Sequence, residues 1–90
     1  MQRATVTIRN PRGIHLRPAT LIVKARKCFE GTEAWLISDN GDAVPLDSPL
    51  ELLGMGLTAG TTLRLETAGP DETACADALA KLFQKTYDFR

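Results

Sequence analysis

Histidine occurs once in the chain, at position 15, and cysteine twice, at Cys28 and Cys75. Two thiols far apart in sequence do not make a disulfide framework. With one distant histidine they offer no paired-ligand spacing for zinc. Reduced, partly buried thiols in helical segments are the expectation for both. Excess charge of either sign is missing too. Eleven basic and eleven acidic residues cancel, so there is no global basic field to hold nucleic acid, and charge-driven recognition has to be local. No apolar run approaches the roughly 18 residues of a membrane span. The N-terminus alternates polar and apolar residues and lacks the apolar stretch of a signal peptide. These absences predict a cytoplasmic protein with no membrane insertion, no metal and no cofactor.

What is present fits one small domain over residues 1–90, because a core does not readily divide at this length. Residues 2–9 alternate, with Ala4, Val6 and Ile8 on one face, which predicts a half-buried strand. The turn cluster Asn10-Pro11-Arg12-Gly13 ends it. From about Leu16 to Phe29, Ala19, Ile22, Val23 and Phe29 mark a helical face, with Pro18 tolerated in the first turn and Arg26 interrupting the stripe. Trp35 and Ile37 mark a second strand, and Asn40-Gly41 is a strong hairpin signal. The third strand that follows has Val44 and Leu46 inward. Pro45 between them cannot donate to a ladder and predicts an edge position. Ser48-Pro49-Leu50-Glu51 reads as a capping box opening a short helix, curtailed by Gly54, Gly56 and Gly60. Leu63 and Leu65 mark a fourth strand. Gly69-Pro70-Asp71-Glu72 opens a last helix with Ala74, Ala78, Leu79, Leu82 and Phe83 on its apolar face. The order is βαββαβα. An antiparallel sheet with helices on one face buries each of these stripes, leaving Thr5, Thr7, Arg64 and Glu66 on a wet face.

Gly13-Ile14-His15-Leu16-Arg17-Pro18-Ala19 is the segment that carries chemistry. His15 falls at or next to the N-cap of the first helix, where backbone N–H groups and the helix dipole favour an anion. Arg17 can bring a guanidinium fork to the same anion. Gly13 permits close approach of the preceding backbone, and Pro18 stiffens the first turn. A histidine, an arginine and backbone amides so arranged can accept a phosphoryl group and neutralise it. On these grounds alone a surface capping role for His15 stays open. No carboxylate lies nearby in sequence to orient the ring, and no nucleotide-binding P-loop would make the chain a kinase.

That segment, with the following Val23-Lys24, the Asn40-Gly41 hairpin and Ser48 before a short leucine helix, resembles the HPr family, the histidine-containing phosphocarriers of the bacterial sugar phosphotransferase system. The resemblance covers essentially the whole chain. It implies an α+β open-faced β-sandwich, with sheet order 1-4-2-3 and three helices on one face. His15 would take a phosphoryl group on Nδ1 from phospho-Enzyme I, itself charged by phosphoenolpyruvate, and pass it to a sugar-specific phosphoacceptor protein. Arg17 would neutralise the phosphate, and the amides of Leu16 and Arg17 would bind its oxygens. The chain would be a monomeric, stoichiometric carrier rather than an autonomous enzyme.

Three features depart from the family pattern. Arg12 stands where a small polar residue is common. The stretch 29–39 is about two residues longer than usual. Ser48 aligns with the serine that HPr kinase phosphorylates in many members, but here Asp47 precedes it and Glu51 follows in the next turn. Like charge there disfavours a phosphate, so Ser48 is read first as a helix cap. A partner-docking patch is expected at Leu16, Leu50 and Leu53, with Lys24 and Lys27 at its rim and Leu52 turned to the sheet. Burial of both Leu50 and Leu53 is the alternative. A regulatory relay without transport, and an interaction module that has given up transfer, remain the competing functions. The pair His15 and Arg17 argues against the second of these.

Overall fold

A computed structural model describes residues 1–86. Residues 87–90 of the expected domain lie outside the described residues. The elements run β1 (Gln2–Thr7), α1 (Leu16–Lys27), β2 (Glu33–Ile37), β3 (Ala43–Pro45), α2 (Pro49–Gly54), β4 (Thr62–Ala68) and α3 (Glu72–Gln84). The four strands form one antiparallel sheet of order β1-β4-β2-β3. This is the expected architecture, with β3 and its Pro45 at an edge.

Strand alternation sends Val6, Ile8, Leu36, Leu46, Leu63 and Leu65 to one side of the sheet, where the helices cover them. α1 contributes Ala19, Ile22 and Val23, as its spacing predicted, and α2 contributes Leu52. Each fully buried side chain of this size stabilises the fold by about 1.5–3 kcal/mol relative to exposure. Thr5 and Arg64 lie exposed on the opposite, helix-free face, with Thr7 and Glu66 half-buried. There Glu66 pairs with Arg64 at 2.9 Å and with Arg3 at 3.6 Å.

Three expectations here need correction. In β2 the inward residues are Ala34 and Leu36, while Trp35 and Ile37 face outward, opposite Glu66 and Arg64 of β4. A single-residue shift exchanges the two faces of a strand. Leu36 lies between two apolar residues at least as large, so hydrophobicity misleads where pairing decides. In α3 the buried stripe is Cys75, Ala76, Leu79 and Phe83. Ala74 is exposed, and Ala78 and Leu82 are half-buried. The helix is rotated so that Cys75, Leu79 and Phe83, spaced four apart, make the seam. α1 ends at Lys27, leaving Phe29 in the turn beyond. Arg26, the interruption in the α1 stripe, is half-buried because it bridges to the loop before α2. Its Nη2 lies 2.8 Å from Asp47 Oδ1, and its Nε donates to the Leu46 carbonyl at 3.3 Å.

Ser48 is the N-cap of α2 as expected, but its hydroxyl makes no capping hydrogen bond. Pro49 at the first helical position already presets the turn. Cys75 is buried while Cys28 is exposed at the C-terminus of α1. The partly buried thiol expected at 28 is therefore an open one.

Candidate active site

The chain reaches His15 through a turn held from three directions. Gly13 N–H donates to the Asn10 carbonyl at 2.8 Å, closing a turn with Pro11 and Arg12 at its tip. The buried Asn10 side chain donates back to the Gly13 carbonyl at 2.8 Å. Ile14, itself buried, donates its N–H to the Leu57 carbonyl at 3.0 Å in the loop before β4. Ile8 secures the same loop, accepting from Gly60 at 2.7 Å and donating to Thr61 at 2.8 Å.

Gly13 has φ +70°, and a Cβ there would overlap the Leu57 carbonyl oxygen and reach within 3.0 Å of Thr58 Cα. Both the conformation and the space require glycine. The sequence showed the turn and the need for a close backbone approach at Gly13, but not that Leu57 makes it. The clamp by the Asn10 side chain was missed, although asparagine opening a Pro-x-Gly turn is a residue that commonly bonds its own backbone.

Beyond this clamp His15 is the N-cap of α1, with extended backbone (φ −110°, ψ −171°) and a half-buried side chain. Its carbonyl accepts the first helical bond, from Ala19 at 3.0 Å. The amides of Leu16 and Arg17 precede that first intrahelical bond, and Pro18 has no N–H. The first turn carries no acidic residue, so nothing opposes the positive helix end. Arg17 and Leu16 are exposed beside the ring, Leu16 at 57%. An imidazole, a guanidinium and unpaired amides of the first turn at one helix end can receive a compact dianion and hold it.

The match to the PTS HPr component phosphorylation site family runs over residues 2–85. The chain belongs to the HPr family. The phosphocarrier protein HPr of Treponema pallidum is 36% identical over 84 residues, 93% of each chain. The phosphocarrier protein NPr of Escherichia coli K12 is 30% identical over 86 residues, 96% of this chain and 94% of that one. The crystal structure of HPr-C-His from Thermoanaerobacter tengcongensis superposes with a TM-score of 0.83 at 31% identity, covering 92% of this chain and 91% of that one. The HPr family is one of phosphocarriers of the phosphotransferase system, not of classical enzymes.

The other sequence-predicted site residues distribute around α1 and α2, which pack against each other. Leu50 is 73% exposed, and Lys24 and Lys27 are exposed on α1. Leu21, which the sequence did not single out, adds a 43% exposed apolar side chain on α1. Leu53 does not join Leu50 on an open face. It is half-buried and packed against the core. Three residues of helix leave two side chains about 60° apart around the axis, so the rotation that sends Leu52 fully inward brings Leu53 to the core margin. Ser48 is half-buried at the α2 N-terminus, next to exposed Asp47. Among the described residues no cluster of three or more His, Cys, Asp or Glu is placed to hold a metal ion, and no helix is long and apolar enough to cross a membrane.

Proposed function

We propose that the chain acts as a single, monomeric carrier domain that accepts a phosphoryl group on His15 Nδ1 from phospho-Enzyme I and delivers it to a sugar-specific acceptor protein. The observation that carries this reading is the seating of His15. The two residues before it, Gly13 and Ile14, are clamped by Asn10 and Leu57, and it caps the positive end of a twelve-residue helix free of acid in its first turn.

In the accepting step the lone pair of the neutral ring nitrogen attacks phosphorus as the bond from phosphorus to the donor breaks. Arg17 and the amides of Leu16 and Arg17 then hold the transferred oxygens. They supply charge where it arrives and need little reorganisation, because the clamp has already fixed the backbone. The exposed Leu16 and Leu50, rimmed by Lys24 and Lys27, give the carrier an apolar contact with a basic border for an acidic partner surface.

Reconstitution tests the relay. With labelled phosphoenolpyruvate, Enzyme I and a sugar-specific acceptor, label should reach the acceptor only when the chain is added. His15→Ala should break the transfer. An acceptor labelled equally well without the chain, or with His15→Ala, would overturn the proposed role.

A further inference from the structure

The net charge of zero conceals a division along the chain. Seven of the eleven basic residues precede Glu30, and none of the eleven acidic ones does. Arg26 is spent within the fold on Asp47, and Arg3 on Glu66. Arg12 is not. It is exposed at the tip of the Asn10–Gly13 turn and has no ion pair or side-chain hydrogen bond among the described residues.

The turn that carries Arg12 is the clamp that seats His15. Its carbonyl-to-amide closure, the Asn10 side chain and the Gly13 approach to Leu57 all fix the backbone on either side of residue 12. Arg12 is three positions before His15, a span of at most about 11 Å even if fully extended, and the positive φ of Gly13 bends it shorter. An exposed arginine with no partner among the described residues thus stands on a fixed turn whose backbone lies within reach of residue 15. Arg17 stands on the helical side of the same ring. Arg9 provides a contrast. It is exposed between the buried Ile8 and Asn10, past the end of β1 and outside the turn that seats His15.

We propose that Arg12 is a second phosphoryl-contacting arginine. With Arg17 it would bracket the group carried on His15 and favour its doubly charged form. This rests on the reading of His15 as phosphoacceptor. It adds that the dianion is held from the turn as well as from the helix. No bond is made or broken by Arg12. Its part is Coulombic, with hydrogen bonds from its fork to phosphoryl oxygens.

The titration of the phosphoryl group reads this directly, because a nearby opposite charge lowers the pH at which the second proton leaves. The full chain is phosphorylated with Enzyme I and phosphoenolpyruvate, the donor is removed, and the phosphorus NMR shift is followed between about pH 4 and 9. One guanidinium at about 7 Å in water-like dielectric corresponds to about 0.4 pH unit. Arg12→Ser should raise the midpoint by about that amount, and Arg12→Lys by less. Arg9→Ser, which removes the same charge from outside the turn and farther along the chain from His15, should move it by clearly less. Arg12 has no ion pair or side-chain hydrogen bond among the described residues, so these variants should fold as wild type does. A midpoint in Arg12→Ser that matches wild type, or that moves no more than in Arg9→Ser, overturns the proposal while leaving His15 as acceptor. A wild-type chain that takes no label at His15 overturns the underlying reading, and this inference with it.

Discussion

Adding one methyl group at Gly13 should unseat the loop that carries His15. A Cβ at that position meets three backbone atoms, namely the Leu57 carbonyl oxygen at overlapping distance, Thr58 Cα at 3.0 Å and Leu57 carbon at 3.2 Å. None of these can swing away as a side chain would. The overlapped carbonyl is also the acceptor for Ile14 N–H. Placing alanine at φ +70° costs about 1 kcal/mol, and forcing packed backbone apart adds about 1–3 kcal/mol. We therefore expect Gly13→Ala to lose about 2–4 kcal/mol, a large share of the stability of a domain this size. Gly41→Ala is the matched control, since Gly41 has φ +89° but nothing within 4 Å of a built Cβ. It should cost only about 1 kcal/mol. Urea unfolding of both variants measures the difference. Gly13→Ala should also slow phosphoryl acceptance at urea-free conditions where it remains folded, whereas Gly41→Ala should not. Equal destabilisation of the two variants would refute the clamp.

Further outcomes follow from single side chains. Arg17→Lys keeps the charge but loses the fork, so acceptance from phospho-Enzyme I should fall about tenfold, and Arg17→Glu, which sets a carboxylate against the incoming group, should fall by about a hundredfold or more. Indistinguishable rates for all three proteins would remove Arg17 from the mechanism. Ser48→Ala should cost only a few tenths of a kcal/mol in urea unfolding, because the hydroxyl makes no capping bond. A loss of about 1 kcal/mol or more would show that it caps in solution. Disulfide exchange with an aromatic reagent should titrate one thiol in the native protein, Cys28, and the second only on unfolding. Cys75 is fully buried, and burial raises its pKa, with Asp71 adding to the rise and Arg26 opposing it. Its neutral form is favoured by the fold, so the stability it contributes is intact below the ordinary thiol pKa and lost as pH rises through the elevated one. Cys75→Ala should flatten that alkaline slope.

The site was more legible in the sequence than the packing around it. Gly13, His15, Arg17 and Pro18 lie within one short segment whose backbone behaviour is local, so turn and helix-start chemistry place them without knowledge of the rest. The N-cap position of His15 and the edge position of Pro45 follow from what each residue can donate or accept. Trp35 and Ile37 were misassigned because the inward face of β2 depends on pairing with β4, far along the chain. The α3 stripe was misplaced because alanines are equally at home on either side of a helix, so Ala74 and Ala78 fix no rotation, whereas Cys75, Leu79 and Phe83 do. The bond from Ile14 to Leu57 joins loops 43 residues apart, and periodicity carries no trace of such a contact.

The central claim is that His15 itself carries the phosphoryl group. It is the chain's only histidine, which makes the assignment clean. Incubation with Enzyme I and phosphoenolpyruvate should give one phosphoryl group per chain, labile to acid and stable to alkali. It should map to the peptide containing His15 and be absent from His15→Ala. An acid-stable adduct, or equal labelling of His15→Ala, would contradict the account.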